Sequence, residues 1–125
     1  MTGIVLVTHK GVGESLRHQA EIILGRDLRL TTVSIGGQTD PEASLADLVG
    51  ALAGSLDPGG AVILTDLPGA TPHNLAVRAA ERHGLPVVSG LNLPMLLKVL
   101  THADKPADEL AGLADLGGHQ GIVSS

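Results

Sequence analysis

Short apolar runs alternate along this chain with longer segments of helical period, and this alternation limits the possible folds more than any other feature. The runs and segments lie, in turn, at residues 4–8, 13–24, 28–35, 41–56, 61–65, 72–83 and 86–89. Repeated alternation of strand and helix is typical of a parallel sheet. Three of the runs are apolar without interruption, which indicates strands covered by helices on both faces. We therefore predict an α/β fold with a doubly wound, mostly parallel sheet of strand order 2-1-3-4.

The residues that bound these segments support the same interpretation. Asp40 and Thr71 each precede a proline, so each is expected to cap a helix whose first residue is that proline. Gly25 and Gly84 are expected to close helices. The remaining segments are two helices and a β-like tail, at residues 94–102, 106–116 and 120–124.

Composition excludes several classes of function. The chain has no Phe, Tyr or Trp, and its net charge is −5. It therefore lacks the aromatic side chains that stack on bases and the basic cluster that binds phosphate backbones, so nucleic acid is not an expected partner. There is no cysteine, which excludes thiol nucleophiles and zinc–thiolate sites.

The 125 residues suit one domain, and we expect residues 1–125 to form it. Met1 is followed almost directly by a strand-like run without a basic leader, and no apolar run has the length of a membrane span. The expected location is the cytoplasm.

Two polar residues follow neighbouring strands of the predicted sheet. His9 ends the first strand and Asp66 follows the third, and ligands of doubly wound sheets bind at such carboxyl ends. A carboxylate that accepts the Nδ1 hydrogen leaves Nε2 with a free lone pair, as a base or nucleophile requires. Helix N-termini near Gly13 and Thr71 are expected to direct amide groups at this nitrogen, which suits an anion such as phosphate.

His73 opens the third helix beside this site, so a metal-dependent hydrolase using His9, Asp66 and His73 is an alternative. A surface histidine is the competing interpretation of His73. The other four histidines are assigned no role; they are His18, His83, His102 and His119.

Three segments resemble the IIA components of the mannose class of the bacterial phosphoenolpyruvate-dependent sugar phosphotransferase system (PTS). They lie at residues 4–9, 64–76 and 90–97. The resemblance implies a phosphoryl carrier in which His9 accepts phosphate from the phosphocarrier HPr and passes it to a IIB component. Asp66 matches the carboxylate that orients the histidine.

The resemblance also assigns a phosphoryl-binding role to three further residues. Thr71 matches a hydroxyl residue beside the phosphohistidine, and the backbone of Gly69 and Ala70 lines the site. Neither a metal nor another cofactor is implied. The chain departs from the family pattern at Lys10 and in the loop Pro68-Gly69-Ala70, which bear on partner docking.

The family forms homodimers in which a C-terminal strand crosses to the partner, and residues 121–123 are the candidate strand. Contact with a membrane permease is peripheral at most. One alternative is a regulatory phosphoprotein without a dedicated sugar permease. Another is the IIA domain of dihydroxyacetone kinase phosphotransferases, whose corresponding loop differs from residues 67–76.

Overall fold

The computed structural model of the chain describes residues 1–36 and 40–125. Strands and helices alternate as predicted. In chain order they are β1 (Gly3–His9), α1 (Val12–Leu24), β2 (Thr31–Ile35), α2 (Pro41–Ser55), β3 (Ala61–Thr65), α3 (Thr71–Glu81), β4 (Val87–Val88), α4 (Leu93–Leu100) and α5 (Ala107–Gln120).

The four strands form one parallel sheet of order β2-β1-β3-β4, so the predicted fold class and strand order are confirmed. Successive residues of β1 and β3 point to opposite faces. On one face, Leu6 and Leu64 belong to a core with α1, α4 and α5. On the other, Val5 and Ile63 belong to a core with α2 and α3. Burial on both faces explains why these strands are apolar except at their carboxyl ends.

Two of the predicted helix starts have different outcomes. Asp40 caps α2 as predicted, because its side chain accepts a hydrogen bond from the Glu42 N–H at 3.3 Å. The prediction for Thr71 is wrong: Ala70 is the capping residue of α3 and Thr71 is its first helical residue, without a side-chain cap. Extended backbone at Ala70 (φ −78°, ψ 166°) sets this boundary one residue earlier.

The C-terminal region differs most from the sequence expectation. Helix α5 continues to Gln120, so the predicted β-like tail cannot begin there, and residues 121–125 are exposed without a strand in this single chain. Gly117 and Gly118 resemble helix terminators in sequence but lie inside α5. A Cβ on Gly117 would be 2.6 Å from the Cβ of Lys98, so the glycine allows α5 to pack closely against α4.

No helix among residues 1–36 and 40–125 is long and apolar enough to cross a membrane.

The amino end of β1 lies against the last turn of α2. A Cβ added to Gly3 would overlap the backbone carbonyl oxygen of Ser55, which cannot move without disturbing the helix. Gly50, in the middle of α2, has open space around it. We expect Gly3→Ala to lower the free energy of unfolding by about 2 to 3 kcal/mol. The matched variant Gly50→Ala should raise it by about 0.5 to 1 kcal/mol.

Urea unfolding of both variants tests this. Equal stability of Gly3→Ala and the wild type would show that β1 and α2 are not packed as described.

Candidate active site at the ends of β1 and β3

The sheet brings His9 and Asp66 to one edge. β1 and β3 are parallel neighbours in which Val7 is opposite Thr65, so both strands end at the same level. His9 is the last residue of β1, and Asp66 follows the last residue of β3. The structure therefore brings together the two residues that the sequence placed at this edge.

Their side chains form a direct pair. His9 Nδ1 lies 2.8 Å from Asp66 Oδ2. The same oxygen accepts the His9 backbone N–H at 3.0 Å, and Oδ1 accepts the Leu67 N–H at 3.0 Å. The Asp66 side chain is 12% exposed, whereas that of His9 is 48% exposed. The carboxylate is thus fixed inside the site, and the ring remains open to a partner.

The surroundings of Asp66 determine which ring nitrogen carries the hydrogen. Burial tends to raise the pKa of the Asp66 carboxyl, but hydrogen bonds from the backbone and ring of His9, with the charge of that ring, lower this pKa below its ordinary value. At neutral pH the ionised carboxylate only accepts hydrogen bonds, so Nδ1 must donate. In the neutral ring Nε2 then holds the lone pair.

Thr8 fixes the backbone at His9, and sequence reasoning missed this role. Its buried Oγ1 donates to the His9 carbonyl oxygen at 2.8 Å and accepts the Gly13 N–H at 2.9 Å. The first turn of α1 is therefore tied to the end of β1. The Gly13 N–H was expected to face a ligand, but it is already bonded to Thr8. The sequence feature that could have indicated this role is a hydroxyl residue near the end of an otherwise apolar strand.

Glu14 is a second residue that sequence reasoning missed near this edge. It lies in the first turn of α1, and its carboxylate accepts a hydrogen bond from the Ser34 hydroxyl at the end of β2. The hydrogen bond from Ser34 lowers the pKa of the Glu14 carboxyl, as does the bond from the backbone of Glu14 itself. This pair links α1 to the strand beside β1.

The three predicted phosphoryl-binding residues follow Asp66 directly. Gly69 has a positive φ of 82°, and its carbonyl oxygen accepts the Asn74 side-chain amide at 3.1 Å. The Ala70 N–H donates to the Leu67 carbonyl oxygen at 3.3 Å. Thr71 is exposed at the start of α3. These residues form the end of the loop after Asp66 and the start of α3, and their contact with a phosphoryl group stays a prediction.

His73 has a different partner from the one that the metal hypothesis requires. Its Nδ1 lies 2.8 Å from Oγ1 of the fully buried Thr65. Throughout the described part of the chain, no group of three or more His, Cys, Asp or Glu is placed to hold a metal ion. The geometry does not support a site built from His9, Asp66 and His73.

The remaining histidines lie away from the pair. His18 and His83 are exposed, and His102 is partly buried with its Nδ1 2.8 Å from the Lys98 carbonyl oxygen. His119 lies in the last turn of α5, where a hydrogen bond with the backbone of Asp115 and the charge of its carboxylate raise the His119 pKa.

Comparison with known proteins identifies the class. The model of the family EIIA-man, described as PTS system fructose IIA component, matches residues 3–118. The chain therefore belongs to the EIIA-man family of PTS IIA components, as the sequence resemblance indicated. No curated protein matches the sequence.

Solved structures agree with this assignment. The mannose/sorbose-specific IIA subunit from Enterococcus faecalis is 26% identical, with a TM-score of 0.89 over 99% of this chain and 94% of that one. The PTS component EIIA from Streptococcus agalactiae is 25% identical, with a TM-score of 0.84 over 99% and 97%. A PTS IIA protein associated with the fucose utilization operon of Streptococcus pneumoniae is 20% identical, with a TM-score of 0.77 over 98% and 92%, and shares the fold.

The lowered pKa of Asp66 predicts how its contribution to stability depends on pH. We expect Asp66→Asn to lower the free energy of unfolding by about 1 to 2 kcal/mol at pH 7, because the amide NH₂ would face an N–H donor. A carboxyl whose pKa is lower in the folded state stabilises that state above its unfolded pKa of about 4. The difference between wild type and variant should therefore shrink as the pH falls below about 4.

Urea unfolding at pH 7 and pH 3 measures this difference. Asp47→Asn, on an exposed position of α2, is the matched control and should show little difference at either pH. A difference for Asp66→Asn that is as large at pH 3 as at pH 7 would contradict the prediction.

Proposed function

We propose that this chain is a phosphoryl carrier that accepts phosphate from HPr on His9 and passes it to a IIB component. The observation that carries the proposal is the 2.8 Å contact between His9 Nδ1 and Asp66, which leaves Nε2 free on a half-exposed ring. Membership of a PTS IIA family supplies the reaction class. Residues 1–125 act as one domain in this proposal, and the proposed location is the cytoplasm.

The transfer step follows from this geometry. The lone pair of Nε2 attacks the phosphorus of the phosphorylated donor, and a nitrogen–phosphorus bond forms. The bond from phosphorus to the donor's leaving atom breaks, and its electron pair remains with the donor. Nδ1 keeps its hydrogen, and the ionised Asp66 stabilises the positive charge that develops on the ring. The reverse sequence at Nε2 delivers the phosphoryl group to the IIB component.

Positioning and charge stabilisation are the main requirements of phosphoryl transfer. Asp66 fixes the ring plane, and Thr8 fixes the backbone that carries the ring. We assign phosphoryl binding to Gly69, Ala70 and Thr71, on the loop that begins at Asp66. The exposed Lys10 adds a positive charge next to the phosphorylated residue.

Intact-mass measurement tests the carrier chemistry. We expect one acid-labile phosphoryl adduct after incubation with phosphoenolpyruvate, enzyme I and HPr. His9→Ala should lose the adduct completely because the accepting nitrogen is gone. His18→Ala, which removes an exposed histidine of α1, is the matched control and should be phosphorylated at the wild-type rate.

The same assay separates the two roles of the pair. Asp66→Asn should still form the adduct but on the order of 100-fold more slowly, because the ring loses the carboxylate that selects its tautomer. An adduct that persists in His9→Ala would move the accepting residue elsewhere. Phosphorylation without onward transfer to any IIB component of the same organism would favour the regulatory phosphoprotein over the relay.

We also propose that the chain forms a homodimer through its tail. Ile122 and Val123 are each 77% exposed, which is a large apolar exposure for two adjacent residues. β4 pairs with β3 through only two residues and is the last strand of the sheet. In the proposed dimer each tail crosses as a strand to the edge of the partner's sheet, which buries the two apolar residues.

Sedimentation velocity tests the role of the tail. The wild type should sediment as a dimer, and the double variant Ile122→Asp/Val123→Asp as a monomer, because charges cannot be buried there without a partner charge. Ser124→Asp/Ser125→Asp adds the same charge beyond the apolar residues and should remain dimeric. A dimeric Ile122→Asp/Val123→Asp variant would place the interface elsewhere.

A further inference from the structure

The loop that follows β3 carries Asp66 at one end and leads into α3 at the other. On the strand side its base is fixed, because the Thr65 carbonyl oxygen accepts the Leu91 N–H at 2.9 Å and the strand pairs with β1. On the helix side the loop runs into Thr71, the first residue of α3. The separation of these two ends determines the shape of the loop between them.

One side-chain hydrogen bond joins the two ends. Thr65 is fully buried, and its Oγ1 lies 2.8 Å from Nδ1 of His73 in the first turn of α3. Among the described residues, the His73 ring is the hydrogen-bond partner of the Thr65 hydroxyl. A buried hydroxyl without a partner costs about 1 to 3 kcal/mol, so the bond has a strong reason to persist.

We infer that His73 is a positioning residue, which through its hydrogen bond to Thr65 holds the loop after β3 in the shape that places Asp66 against the His9 ring. The inference rests on the proposed function of His9. Asp66 directly follows Thr65 along the chain, and its carboxylate accepts three N–H groups within 3.0 Å. Such a carboxylate tolerates little displacement before hydrogen bonds are lost.

The position of α3 reinforces the argument. Leu75 and Ala76, just after His73, are buried in the core under β3, so the body of α3 is held by apolar packing. Apolar packing is not directional, so it fixes the position of the first turn on the sheet less strictly than hydrogen bonds do. The Asn74 side chain ties that turn to the loop, and the hydrogen bond to Thr65 ties it to the strand. The proposed phosphoryl-binding residues lie between the two ends of the bond to Thr65.

Two single variants and their combination test the inference. Thr65→Val removes the hydroxyl with little change of shape, and His73→Phe removes the ring nitrogen. We expect each to lower the maximal rate of transfer from phosphorylated HPr by about 10-fold or more, because small displacements of orienting groups are costly in rate.

The combined variant distinguishes positioning from stability. Thr65→Val/His73→Phe leaves no buried polar group unpaired, so its urea midpoint should return toward the wild-type value. Its transfer rate should remain as low as that of the single variants. Thr65→Ser keeps the hydroxyl and should restore most of the rate. His83→Phe, in the exposed turn after α3, should transfer at the wild-type rate.

A spectroscopic measurement keeps this inference separate from the carrier proposal. The ring ¹⁵N shifts of His9 report which nitrogen carries the hydrogen, with or without phosphorylation. We expect the wild type to show the Nδ1–H form and Thr65→Val a mixture of tautomers.

Two results would overturn the inference. One is a wild-type transfer rate together with an unchanged tautomer in Thr65→Val and His73→Phe. The other is a transfer rate that recovers together with stability in the combined variant. A wild type that is never phosphorylated would defeat the carrier proposal, and the tautomer would still decide the role of His73.

Discussion

The parallel pairing of β1 with β3 is the constraint on which the rest of the structure depends. These two strands form the centre of the sheet and are buried on both faces, with α1, α4 and α5 on one side and α2 and α3 on the other. Because parallel strands end at the same edge, their register also decides what meets there. Val7 opposite Thr65 places His9 and Asp66 next to each other, so one set of backbone hydrogen bonds organises both the core and the site.

Both central strands end in the same way. Thr8 precedes His9 and Thr65 precedes Asp66, and both threonines are buried. Each hydroxyl bonds to the beginning of the following helix, Thr8 to the Gly13 N–H and Thr65 to the His73 ring. Each residue of the pair therefore follows a buried threonine that is fixed by a hydrogen bond. This arrangement orients a histidine and a carboxylate at the ends of two strands without requiring the neighbouring loops to be buried.

Sequence reasoning succeeded where the signal is local and failed where a distant contact decides. The apolar runs located β1 and β3 because strands buried on both faces have few polar positions. The predicted end of the last helix at residue 116 was wrong, because Gly117 and Gly118 continue α5 and their lack of a side chain lets it pack against α4. The sequence shows that His73 lies at the start of the third helix, which suggests a metal ligand. It does not show that Thr65 is the hydrogen-bond partner of His73.

The sequence by itself determined the strand and helix alternation, the fold class and the two residues of the central pair. These follow from hydrophobic periodicity and from the rule that parallel strands end at one edge, and both can be read without coordinates. The tertiary structure alone decided the lengths of β2 and β4, the extent of α5 and the hydrogen bonds of Thr8 and Thr65. Each of these depends on which side chain a residue meets across the fold, and hydrophobic periodicity along the chain carries no information about that partner.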